Sequence, residues 1–302
     1  MEFKESKLDL RSREEQLLQE RFSEILKNFN WDLFYEILDK HKSKSGLKVL
    51  TTQEEELRKA YLDEIFNNPK RIANTDLKAP SKNPRITFDS GIDSVADASK
   101  YMGARGTIRI NIKKAKEYID FVIKKLEQKN AKVDFDIVNI CILRIIFHEL
   151  LHLNGEMIKN RNGYSSINEA ITEFLSFKIM LEYVNANGDG LVNITSIMFY
   201  KGLFQIYEYD KHITSQFLKI LSKMEDVTTR AFMDSLYWAY LNSFDVSNPN
   251  FISLLPEEIQ TTWERYLALD LKDIKKFQEE AEGIMKDLER LIEENKKKAT
   301  SI

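Results

Sequence analysis

The chain has 302 residues, 43% of them apolar and 31% charged, with 10 glycines, 5 prolines and a formal charge of −3. Such a composition, rich in Leu, Ile, Lys and Glu and poor in turn residues, fits a mainly helical globular protein with one sizeable core. The balance of 45 basic and 48 acidic residues spread along the chain argues against a nucleic-acid partner, and the single Cys141 excludes an internal disulfide.

The start, Met1 to Gln16, is charged and lacks the apolar run of a secretory signal, and no later stretch is expected to approach bilayer length. Cytoplasmic residence without a membrane partner is the expectation, although export without a cleaved signal would leave no trace. From Arg13 to His41, Leu17, Leu18, Phe22, Ile25, Leu26 and Phe29 recur at helical spacing. Asn30 can cap a second helical piece carrying Leu33, Phe34, Ile37 and Leu38. Another charged helical segment covers Thr52–Phe66. The stretch Asn67–Pro84 holds three of the five prolines and reads as a connection.

Strand signals follow at Arg85–Asp89 and at Thr107–Ile112, where Ile108, Ile110 and Ile112 share one face. Helical patterns then cover Lys113–Gln128, Asp134–Leu153 and Ser166–Tyr183. The last, about Leu271 to Asn295, spaces Ile274, Phe277, Ala281, Ile284, Leu288 and Leu291 by threes and fours. The expected fold is therefore mainly α with a small β-sheet. Its expected parts are a helical N-terminal region at 1–67, a connection at 68–84, a core at 85–255, and a helical region at 256–302 packing on that core. The terminal helices can also support self-association, but packing on the body explains their apolar faces equally well.

The segment Phe147-His148-Glu149-Leu150-Leu151-His152 contains H-E-x-x-H. Residues four apart share a helix face, so His148 and His152 can bind one metal ion, and Glu149 can flank that ion and reach a water without being a ligand. The apolar run Ile137–Leu143 ahead of it suits a core helix, and Gly155 offers a stop. Catalytic zinc commonly takes three protein ligands. A candidate third stands 17 residues beyond His152, in Asn168-Glu169-Ala170-Ile171-Thr172-Glu173. Glu169 and Glu173 share a helix face, and a metal on one with an imidazole N–H on the other would relieve their repulsion. Ser166-x-x-Glu169 equally matches a capping box, in which Glu169 would reach back to the helix start and bind nothing.

Together these segments resemble the gluzincins, zinc peptidases whose third ligand is a glutamate on a second helix. Ser-Ile-Asn-Glu-Ala-Ile-Thr-Glu is similar to the thermolysin segment Asn-Glu-Ala-Ile-Ser-Asp. The resemblance covers the two motif helices and the strand ahead of them. It implies a zincin-like core, Zn2+ held by His148, His152 and Glu169, Glu149 as general base, and Glu173 orienting a zinc-bound histidine. It also implies that Thr107–Ile112 is the sheet edge along which a peptide or protein substrate lies. Gluzincins use a downstream Tyr or His for the oxyanion, and Tyr200 in Phe199-Tyr200-Lys201-Gly202 is the candidate here. Its spacing is off by one, with Phe199 at the expected position, and Tyr207, Tyr209 and His212 follow closely. The aminopeptidase signature Gly-x-Met-Glu-Asn is absent. The resulting expectation is a zinc metallopeptidase, with two alternatives: a zincin-scaffold binding or regulatory protein of little turnover, and a metal-free helical scaffold. Cys141, among apolar neighbours, reads as a packing residue, and His41, without a motif partner, as a surface or packing residue.

Overall fold

Asn30 caps a helix as its position predicts: its Oδ1 accepts the backbone N–H of Leu33 at 3.1 Å, dividing α1 (Lys7–Lys27) from α2 (Trp31–Ser43). The computed structural model describes residues 7–43, 83–99, 106–128, 136–155, 164–187, 238, 240–241, 257–267 and 274–300. The helical segment expected at Thr52–Phe66 and nearly all of the connection at 68–84 lie outside them.

Strands β1 (Arg85–Phe88), β2 (Ala96–Ser99) and β3 (Thr107–Ile110) form a three-stranded sheet in the order β1-β3-β2, with β1 parallel and β2 antiparallel to β3. Ile108 and Ile110 are buried, as the alternation of β3 predicts. The strand nevertheless stops before Ile112. Asn111 accepts the backbone N–H of Lys114 at 3.2 Å, and its Nδ2 donates to the Ile92 carbonyl at 2.9 Å, so it caps the next helix and ties the β1–β2 loop to it. The expected role of Thr107–Ile112 as sheet edge is corrected as well. β3 lies in the middle, and the edge beside the motif helix is β2. Ala-Asp-Ala-Ser has no β-branched or aromatic residue to signal a strand. Pairing with β3 and packing on a helix, neither of them local, put it in the sheet.

Helices α3 (Ile112–Gln128), α4 (Asp136–Asn154), α5 (Tyr164–Asn187), α6 (Glu257–Leu267) and α7 (Ile274–Thr300) complete the described elements. The described residues are thus mostly helical around a small sheet, as composition implies. α3 is amphipathic, burying Ile112, Ala115, Ile119, Val122 and Leu126. α4 is the central element, with the whole run Asn139–Phe147 buried. Contrary to the expectation that no stretch approaches bilayer length, Ile137–Asn154 is long and apolar enough to cross a membrane. Eighty-three per cent of that stretch (83%) is buried inside the fold, so its apolarity is that of a core helix.

α4 packs on α5 and on β2. Its Phe147 meets Phe34 of α2 edge to face at 5.5 Å and Phe29, at the end of α1, at 5.6 Å; Phe29 in turn stacks on Tyr183 of α5 at 4.9 Å. The Tyr183 hydroxyl accepts the Asn30 backbone N–H at 2.7 Å, so the polar end of that ring is satisfied at the α1–α2 junction. Ile284, Leu288 and Ile292 of α7 belong to the same continuous core.

α4 ends at Asn154, one residue before the glycine expected to stop it, and Tyr240 packs close against that glycine. A Cβ on Gly155 would stand 2.4 Å from the Tyr240 ring and 3.0 Å from its carbonyl oxygen. The Tyr240 hydroxyl is 2.5 Å from Thr172 Oγ1, which pins the aromatic between the end of α4 and the middle of α5.

Candidate metal centre

The helical repeat and the α4–α5 packing bring three side chains together. His148 and His152, one turn apart on α4, place their Nε2 atoms 2.9 Å from each other. Glu169 of α5 sets Oε2 at 3.3 Å from His148 Nε2 and Oε1 at 3.3 Å from His152 Nε2. Helix α5 begins at Tyr164, so Ser166 lies inside it and is not its cap. The Glu169 carboxylate faces the imidazoles, and the capping-box alternative falls away. Tetrahedral ligands at about 2.0–2.1 Å from a zinc ion stand about 3.3 Å apart. One ligand atom from each of the three residues lies within 4.8 Å of the other two, close enough for the set to hold one metal ion.

Behind the ligands is an orienting layer. His148 Nδ1 is 2.8 Å from Oε2 of Glu173, one turn beyond Glu169. With the proton on Nδ1 donated to Glu173, Nε2 would be left with its lone pair for a metal ion. The other oxygen of Glu173 is paired with Arg144, one turn before His148 on α4. Arg144 is 2% exposed, and its Nη1 also donates to the Tyr118 hydroxyl of α3 at 3.4 Å. Sequence reasoning did not pick out Arg144. The available signal was an arginine inside an otherwise apolar core helix, in step with His148.

Electrostatics divide the roles. Burial pushes the His148 imidazole down to about 4, against the opposing hydrogen bond to Glu169, so it is neutral and free to ligate. Burial works to raise the Glu169 carboxyl, yet its hydrogen bonds with His148 and His152 prevail and hold it well below the usual carboxylate range. Glu149 goes the other way. Burial, with the carboxylates of Glu169 and Asp97, pushes it up to about 7 against the opposing effects of His152 and a hydrogen bond from the Ala98 backbone. That last contact is the second feature missed from sequence, because it comes from the unpredicted strand β2. A small open cavity of about 40 Å³ adjoins His148 and Glu149, walled by Val95, Ala96, Tyr118 and Ile145. It has room for a few waters.

Tyr200 and the substitutes Tyr207, Tyr209 and His212 lie outside the described residues. Cys141 is fully buried in the core, as expected. His41 is 3% exposed and its Nε2 is 2.9 Å from Glu182 of α5, a helix-to-helix packing role. No family model, no curated protein and no solved structure matches this chain.

Proposed function

We infer that this chain is a zinc-dependent hydrolase acting on peptide bonds. One observation carries the reading: His148, His152 and Glu169 bring their donor atoms close enough to share one metal ion, next to the buried carboxyl of Glu149. A zinc ion held by His148, His152 and Glu169 would supply a Lewis acid that polarises a carbonyl and acidifies water. Glu149, buried beside that site, would serve both halves of the proton traffic: it accepts a proton from the attacking water at its carboxylate oxygen and returns it to the leaving amine. Glu173 keeps the His148 ring in one orientation and one tautomer. The outer edge of β2 passes beside Glu149, and its Ala98 already hydrogen-bonds that carboxyl. An extended peptide added along such an edge would bring its backbone to the base with little regard to sequence. This strand takes the place that the gluzincin resemblance gave to β3.

The alternative is a scaffold that holds zinc and peptide with little turnover. Glu149 counts against it, because binding alone has no use for a base buried beside the metal-holding residues.

Metal analysis of the purified chain beside a His152→Ala variant tests the centre. The expectation is close to one zinc per chain, lost in the variant. In a peptide-library cleavage assay, Glu149→Gln should keep zinc and lose about 10²- to 10⁴-fold in turnover. A metal-free protein that takes up none on titration defeats the reading, and full turnover in Glu149→Gln defeats the assigned base. Zinc uptake without cleavage in the unaltered chain would favour the scaffold.

A further inference from the structure

α4 carries one Lys or Arg in its length, and that residue, Arg144, is among the most completely buried large side chains of the described residues. Stability gives no reason for it. Desolvating a guanidinium and a carboxylate costs several kcal/mol per ion, and replacing such a pair by apolar residues is often neutral or stabilising. What the pair does supply is direction. Glu173 has one oxygen on Arg144 and the other on His148 Nδ1, so the carboxylate is held from both sides and cannot turn away from the imidazole. Arg144 is aimed in turn by the Tyr118 hydroxyl of α3. The order Tyr118, Arg144, Glu173, His148 runs from one helix through the core to the ligand atoms.

The geometry points to Arg144 as a positioning residue for the metal centre, acting through Glu173 to fix the ring of His148. It rests on the zinc reading above and goes beyond it in making an arginine three contacts away from the ion a determinant of zinc affinity. Outer partners of metal ligands commonly govern affinity by 10- to 100-fold, and a planar guanidinium is suited to lock a carboxylate that a flexible ammonium would hold less well.

The test is zinc affinity of the full chain, measured by competition with a chromogenic chelator on variants that retain the helical circular-dichroism signal. Arg144→Met should weaken zinc binding about 10- to 100-fold, and Arg144→Lys should recover part of the loss. Because the effect passes through Glu173, Arg144→Met introduced into a Glu173→Gln background should change affinity by less than about 2-fold. Unaltered affinity in Arg144→Met overturns the inference. So does an equal fold-loss in both backgrounds, the mark of a general loosening of the fold. If Arg144→Met alone leaves Glu173 too exposed to an uncompensated burial to fold, the double variant, with no buried charge unpaired, decides the matter. Affinity equal to that of Glu173→Gln upholds the inference, and a further 10-fold loss overturns it. An unaltered chain that binds no zinc ends the metal reading itself, a result distinct from all of these.

Discussion

Phe147 and His148 are neighbours in sequence and face opposite environments across α4. Phe147 enters a dry aromatic cluster with Phe29, Phe34 and Tyr183, where contact and excluded water do the stabilising. His148 enters a layer of Glu169, Glu173 and Arg144, where every buried group depends on a specific partner. The first face tolerates any well-fitting apolar side chain of similar volume, whereas the second is set by charge and direction. One helix therefore separates stability from chemistry by a rotation of about 100° per residue.

That separation can be broken or sharpened by experiment. The largest effect belongs to the aromatic face: Phe147→Ala should cost about 3–5 kcal/mol in urea unfolding of the metal-free protein. Zinc affinity of the folded variant should stay within about 3-fold of the original, and a 100-fold loss would show that the two faces are coupled.

The polar face should reveal itself through pH. Glu149 is raised from 4.5 to about 7, so its contribution is fully present below pH 4.5 and is lost as pH rises to 7. His148 is lowered from 6.5 to about 4, so its contribution is present above pH 6.5 and is lost as pH falls to 4. Each spans about 3 kcal/mol, and the two slopes oppose each other. Between pH 4.5 and 6.5 the metal-free protein should hold a nearly constant unfolding free energy. Glu149→Gln, with one slope removed, should gain about 2–3 kcal/mol over the same range. Parallel curves for the two proteins would mean that Glu149 is not held in its uncharged form by the fold.

The smallest effect lies at the seam between the faces. Gly155→Ala drives a Cβ into the Tyr240 ring and should cost about 1–3 kcal/mol. Gly155→Ala combined with Tyr240→Leu should recover part of that loss, and a Gly155→Ala protein as stable as the original would remove the steric reason for this glycine.

Much of the centre was legible because helical periodicity is a local rule. The four-residue steps from His148 to His152 and from Glu169 to Glu173 fix shared faces without any knowledge of the fold. The periodic apolar positions of α1, α2 and α3 were legible in the same way. Position in space was harder to read. Whether Glu169 turns to its own helix start or to two histidines depends on how α5 lies on α4, and both patterns are present in the sequence. β2 escaped notice because Ala96, Asp97, Ala98 and Ser99 become a strand only through β3. Arg144 carried no motif to single it out; only the fold sets it against Glu173.

Among the described residues β2 is an edge strand, which is also a hazard for the protein in solution. An edge strand invites a second copy of itself, the first step towards edge-to-edge aggregation. Two features of β2 resist this. It is four residues long, and Asp97, paired across the sheet with Arg109, stands at its middle. A second β2 docking antiparallel about that residue would bring two carboxylates face to face, with one arginine already engaged on each. The same aspartate that raises Glu149 thus counts against pairing of the strand with its own kind.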